Sequence, residues 1–218
     1  MRHRGPGPAA RHRTRPPEER SLTPSFIGSF PRADVVLPDP LPEVAFVGRS
    51  NVGKSSLLNA LVGQRIARVS ATPGKTTMLN VFRVEFEKAS LYLIDLPGYG
   101  YARASHAERG RFRQLIRHAI DRPLLAGVIW LLDIRREPSR DDTSIHEVFA
   151  AAGSPILAAL TKGDTLARGR RLDRARILGA ALSLPPDQVI TTSARTREGI
   201  PELRQAVAAL ALQGPTTA

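Results

Sequence analysis

The chain has 218 residues, enough for one domain with a substantial buried core. Apolar residues at 42% against 24% charged exclude wholesale disorder and fibrous repeats, and the absence of cysteine excludes disulfides, Cys-ligated zinc or iron–sulfur sites and thiol nucleophiles. Lys plus Arg number 32 against 20 acidic residues, a net charge of +12 that favours anionic partners, nucleic acid first among them.

Residues 1–20 hold six Arg, two His and four Pro with little to bury, so residues 1–21 read as a disordered basic tail. A single domain is expected over residues 22–214. Within it, strand-length apolar runs bounded by Gly, Pro, Asp or Asn recur at 43–47, 80–86, 91–94, 124–132, 155–160 and 188–190. The run 124–132 is nine residues, well short of the ~20 needed to cross a bilayer as a helix, so no membrane span is expected. Helical periodicity fills 55–62, 105–120, 142–152, 172–182 and 201–212; in 105–120, Phe112, Leu115, Ile116, Ala119 and Ile120 make one apolar stripe. This alternation predicts an α/β fold of three layers, a mostly parallel central sheet with helices on both faces.

Basic residues are 28 Arg and four Lys, so Lys54, Lys75, Lys88 and Lys162 stand out. Lys54 ends the segment Gly48-Arg49-Ser50-Asn51-Val52-Gly53-Lys54-Ser55, which fits G-x-x-x-x-G-K-[ST] between an apolar run and a helical stretch. Such a loop curls its backbone N–H groups onto a β-phosphate, with the positive helix end behind them. Lys54 then reaches the β and γ oxygens, and Ser55 offers its hydroxyl to Mg²⁺. Lys75 lies in Ala71-Thr-Pro-Gly74-Lys75-Thr76-Thr77, a polar stretch suited to bring one hydroxyl to Mg²⁺ when a γ-phosphate is bound. Thr76 is the preferred ligand, with Thr77 as its rival. Asp95-Leu96-Pro97-Gly98 closes the next apolar run; Asp95 can hold Mg²⁺ directly or through water, and Gly98 can turn its N–H to a γ-phosphate.

Base choice falls to Thr161-Lys162-Gly163-Asp164. The Asp164 carboxylate can accept from the N1–H and N2–H₂ edge of guanine, a donor pair adenine lacks, while the Lys162 stem covers the base face. Thr161 stands where Asn is commoner, an exchange expected to loosen the loop. Thr192-Ser193-Ala194 follows another apolar run and can offer a backbone N–H to guanine O6.

The wording of these motifs resembles one family. Gly48-Arg-Ser-Asn-Val-Gly-Lys-Ser-Ser56, Thr72-Pro-Gly-Lys-Thr76, Asp95-Leu-Pro-Gly-Tyr-Gly-Tyr-Ala102, and Leu132-Asp-Ile-Arg135 with Asp141-Asp142 are similar to those of the EngB (YihA/YsxC) GTPases, over about residues 22–212. The resemblance implies a P-loop GTPase, Ras-like in fold, that is cytoplasmic and monomeric. It implies a role in assembly of the large (50S) ribosomal subunit, through rRNA, needed for normal division and septation. It implies that Gly48 to Ser55 and Gly74 to Met78 contact GTP or GDP, that Asp95 to Gly98 face the γ-phosphate, and that Thr161 to Asp164 and Thr191 to Ser193 surround guanine. Ser55 and Thr76 would bind Mg²⁺.

Many GTPases orient water with a Gln after D-x-x-G; here Tyr99 stands there, so slow intrinsic turnover is expected. Help would come from a partner in trans or from K⁺ held by Asn51, unless Asn51 merely tolerates an awkward dihedral. Two basic clusters suit RNA phosphates: Arg103, Arg109, Arg111, Arg113, Arg117 and Arg122, and Arg168, Arg170, Arg171, Arg174 and Arg176. The rival reading is a non-catalytic, nucleotide-gated RNA-binding protein; in a pure RNA clamp the set Lys54, Ser55, Thr76 and Asp95 would have no purpose.

Overall fold

The structure, a computed structural model, describes residues 24–67, 78–86, 89–100 and 106–215, with the backbone alone for 106–109. The basic tail, Gly74 to Thr77, Arg103 and the Arg109 side chain lie outside the described residues.

Among the described residues, seven strands form one sheet in the order β1-β3-β4-β2-β5-β6-β7. They are β1 (Ser25–Phe30), β2 (Glu43–Gly48), β3 (Leu79–Phe86), β4 (Ala89–Asp95), β5 (Leu125–Asp133), β6 (Ile156–Thr161) and β7 (Val189–Thr191). β4, β2, β5, β6 and β7 run parallel; β3 and β1 join antiparallel at one edge. Every residue of β2 and of β5 is buried, because helices cover both faces and leave no solvent side for polar alternation.

Successive side chains of β2 serve opposite cores. Val44 and Phe46 pack with Leu57, Leu58 and Leu61 of α1 (Lys54–Val62) and with Leu203 and Val207 of α5 (Ile200–Gln213). Ala45 and Val47 share the other core with Trp130, Ile116 and Ala119 of α2 (His106–Ile120), Ile145 and Phe149 of α3 (Arg140–Ala151) and Leu178 of α4 (Arg168–Ala181). The expected three-layer α/β architecture is therefore present, and the apolar stripe of α2 faces the core as its spacing requires.

Two departures have plain causes. α4 begins four residues before the start expected at Leu172, because its first turn is Arg168-Gly-Arg-Arg171 and carries no apolar residue to mark a period. β1 was not marked by its pattern: it is an edge strand, its Phe26 is 59% exposed, and it lacks the alternation of a half-buried strand.

The far end of the sheet is closed by a buried ion pair. Arg122, just after α2, grips Glu43 at the start of β2: its Nη2 donates to Oε1 at 2.7 Å, its Nε donates to Oε2, and Nη1 donates to the carbonyls of Ala33 and Val35, the latter at 2.9 Å. Its side chain is 8% exposed. Arg122 thus leaves the set of surface arginines expected for RNA; it fastens the β1–β2 connection to the sheet.

Candidate functional site

All five parallel strands end, on the same side, in a residue with a part to play: Gly48, Asp95, Asp133, Thr161 and Thr191. Ligands of open α/β sheets settle outside these carboxyl ends, where connections leave to opposite faces.

The phosphate loop leaves β2 through two left-handed residues, Asn51 (φ 62) and Gly53 (φ 106), the latter at the N-cap of α1. That curl leaves the first-turn N–H groups of α1 without intrahelical acceptors, and an anion there meets them together with the helix dipole. The dihedral at Asn51 is one that a short polar side chain tolerates. Gly98 packs against this loop so closely that a Cβ would lie 3.0 Å from the Ser50 Cα and N. The Ser50 N–H donates to the Tyr99 carbonyl at 2.8 Å, so the segment after Asp95 is hydrogen-bonded to the phosphate loop itself.

Lys54, at the first helical position of α1, pairs its ammonium with Asp95 Oδ1, while Asp95 Oδ2 accepts from Asn80 Nδ2 at 3.3 Å. Asp95 is 3% exposed. Ser55, one residue on, and Asp95 are hard oxygen donors next to a phosphate cradle, a donor set that suits Mg²⁺ bridging phosphate oxygens. The third oxygen expected, Thr76, lies outside the described residues, as do Gly74, Lys75 and Thr77. Met78 is described and 41% exposed; Leu96 and Pro97 are buried.

On the base side, the Thr161 hydroxyl donates to the Val52 carbonyl at 2.7 Å. The loosening expected from Thr in place of Asn is therefore corrected: the shorter side chain still ties β6 to the phosphate loop. The Lys162 ammonium donates to the Asn51 carbonyl and to Asp133 Oδ2, both at 2.9 Å, which extends its stem beside the loop. Burial alone would raise the Asp133 carboxyl, but hydrogen bonds from Arg135 and Lys162 outweigh it and hold the group well below the ordinary carboxylate range.

Asp164 accepts from the Ser193 hydroxyl at 2.6 Å and from Arg195 Nε at 2.7 Å. The Ser193 bond, with Arg195 beside it, keeps this carboxyl below its usual value, so it stands as a charged acceptor. Gly163 lets the two loops meet: its N–H donates to the Thr192 carbonyl at 2.9 Å, and a Cβ there would lie 2.8 Å from Thr191 Cγ2. The Thr192 hydroxyl turns back into the sheet onto the Leu160 carbonyl, and the Ser193 N–H donates to Glu198. A cavity of ≈ 710 Å³ opens between Gly53 and Ser56 on one side and Lys162, Asp164, Ala194 and Arg195 on the other. That is within the range of nucleotide-sized sites.

The family described as 50S ribosome-binding GTPase matches residues 43–162. A probable GTP-binding protein EngB of Gemmatimonas aurantiaca is 45% identical over 169 residues, covering 77% of this chain and 81% of that protein. This chain belongs to the EngB family of GTP-binding proteins. The EngB of Geobacter sulfurreducens is 37% identical over 191 residues, covering 87% of this chain and 91% of its own length. Among solved structures, a probable EngB aligns with TM-score 0.60 at 19% identity over 78% of this chain and 99% of its own. Era in complex with MgGDPNP and a 16S ribosomal RNA segment aligns with TM-score 0.63 at 21% identity, over 81% of this chain and 58% of its own. At such identities these two structures speak for the fold. With EngB membership, the chain is a P-loop GTPase.

Asp133 and Asp142 stood in the motifs that carry the resemblance, but with no part assigned to them. Asp133 ends an apolar strand as Asp95 does, a usable signal, whereas the buried place of Asp142 beside the phosphate loop depends on residues far along the chain.

Proposed function

We propose that this chain is a Mg²⁺-dependent GTPase that acts as a switch on the large (50S) ribosomal subunit during its assembly, and through that role supports division and septation. The observation that carries the reading is that the phosphate loop, with its Lys54–Asp95 pair, is tied through Lys162 to the Asp164 loop, and that a cavity opens between Gly53 and Asp164. Phosphates would lie on Gly48 to Ser55, with Lys54 on their outer oxygens and the Gly98 N–H towards the γ-phosphate. Asp164 would read guanine, braced by Ser193. The Ala194 N–H is the natural donor to O6, because that of Ser193 is given to Glu198. Ser55, Asp95 and Thr76 would hold Mg²⁺, which supplies neutralising charge to the phosphate oxygens.

Tyr99 supports slow intrinsic turnover. Its phenol is buried and turned to the core, so no side chain from that position orients water. K⁺ at the Asn51 side chain or a ribosomal group would make up the deficit. For the partner, exposed Arg111, Arg113 and Arg117 on α2 and Arg168, Arg170 and Arg176 on α4 share one side of the sheet, a basic surface suited to folded RNA phosphates. Arg171 and Arg174 of the second cluster are engaged otherwise, with Glu198 and Glu137.

The test is sedimentation of the chain with 30S, 50S and 70S particles, in GDP or a non-hydrolysable GTP analogue, at two salt concentrations. Co-migration with 50S in the analogue alone is the expected result. Nucleotide-independent binding would favour a plain RNA clamp, and no co-migration would remove the ribosomal reading.

A further inference from the structure

Between the phosphate loop and α3 lies a buried polar network that the nucleotide site as described does not use. The Tyr99 phenol, 5% exposed, donates to Asp142 Oδ1 at 2.6 Å and accepts the Trp130 indole N–H at 2.9 Å. The other oxygen of Asp142 accepts the Ser139 N–H at 2.7 Å and the Ser139 hydroxyl at 2.5 Å, closing the capping box that starts α3. Arg49 of the phosphate loop reaches across, with its Nη1 3.9 Å from Asp142 Oδ2. Its Nε is also 2.9 Å from where a Cβ on Gly100 would sit, so the guanidinium lies against the chain just after Tyr99.

A Phe at residue 99 would fill the same space with no polar group to satisfy. A buried phenol beside a buried carboxylate is costly unless every bond is made, and here each is made in one geometry only. The network therefore fixes where residue 99 sits rather than merely filling the core. That position is transmitted at once to the neighbouring residue: Tyr99 donates its N–H to the Gly48 carbonyl at 3.3 Å, and Gly98 packs on the Ser50 backbone. On the reading proposed above, Gly98 is the residue whose N–H would meet the terminal phosphate.

We propose that Asp142, acting through Tyr99, is a positioning residue for GTP hydrolysis: the pair latches residues 98–100 to the start of α3 and sets the reach of the Gly98 N–H. The proposal rests on the reading of the site as a GTPase site. It ties hydrolysis to the exposed N-terminal turn of α3, with Arg140 and Asp141, where a partner could pull on the latch from outside.

The chain carries a single tryptophan, and it is the one bonded to Tyr99, so the latch has its own reporter. The experiment follows the indole ¹⁵N–¹H resonance of the full chain in GDP and in a non-hydrolysable GTP analogue, alongside steady-state hydrolysis. The wild type should show two distinct indole positions. Tyr99→Phe removes the acceptor: the two positions should merge, kcat should fall about tenfold, and KM should stay within about twofold. Asp142→Asn should move both readouts in the same direction by less. An indole resonance unmoved between nucleotides in a wild type that binds and hydrolyses GTP would overturn the proposal alone. So would a Tyr99→Phe variant with wild-type kcat and only a lower melting temperature. A wild type that neither binds fluorescent GDP nor hydrolyses GTP would overturn the GTPase reading beneath it.

Discussion

Thr161 and Val52 are 109 positions apart in the chain and joined by one 2.7 Å hydrogen bond, from the hydroxyl at the end of β6 to the carbonyl in the phosphate loop. Both residues are buried, so a lost donor is not replaced by water. Thr161→Val should lower stability by about 1–3 kcal/mol. It should also weaken GDP binding, because the loop that holds phosphate and the loop that reads the base would no longer be tied. Thr161→Ser should restore both. Thermal unfolding and fluorescent-GDP titration of the two variants check this.

Asp164→Asn should exchange guanine for xanthine preference, since the amide presents a donor where the guanine edge needs an acceptor. Retained preference for GTP over xanthosine triphosphate in competition binding would remove Asp164 from the base site. Because the Ser193 bond depresses this carboxyl, its charge persists below the usual range. The preference for guanine over xanthine nucleotide should therefore hold as pH falls to the ordinary 3.8, and Ser193→Ala should bring the onset of its loss to higher pH.

Arg122 separates a structural arginine from the surface set. Removing it leaves Glu43 charged, buried and unpaired, and Arg122→Ala should cost about 3–5 kcal/mol in denaturant unfolding. Arg113→Ala with Arg117→Ala should leave stability within about 0.5 kcal/mol. That double variant should instead weaken retention on RNA and flatten its salt dependence, read from binding to a structured RNA at several salt concentrations.

Asp133 gives a pH signature of its own. Its carboxyl is lower in the folded chain than the ordinary 3.8, so its contribution to stability is fully present above that value and is lost as pH falls through the folded one. Asp133→Asn should therefore melt below the wild type at neutral pH, and the gap should close under strong acid. A gap unchanged with pH would show that the charge of Asp133 is not what Lys162 and Arg135 hold.

The parts legible in the sequence were those with a local period or a fixed spacing. The helical stripe of α2 and the apolar run of β5 each announce themselves within a dozen residues. Gly48 to Ser55 is legible because a phosphate cradle needs those residue types consecutively. What escaped depends on partners far along the chain. Arg122 looks like its neighbours on α2 until Glu43 is brought beneath it by strand order. Tyr99 reads only as a missing Gln until β5 places Trp130 and α3 places Asp142 against it. β1 escaped for a different reason: an edge strand exposed on one side carries little of the pattern by which strands are recognised.

The path of β1 also decides from which pole the chain can be handled. Ser25 is level with Arg83, which pairs with Tyr92, which pairs with Glu43 at the foot of β2. α5 descends to the same foot, with Leu210 against Gly127 near the start of β5. Both ends of the described chain therefore leave from the pole opposite the phosphate loop. A tether, fluorophore or solid support attached beside Ser25 or Gly214 would leave the mouth of the cavity open, so protein immobilised there should exchange nucleotide as freely as protein in solution.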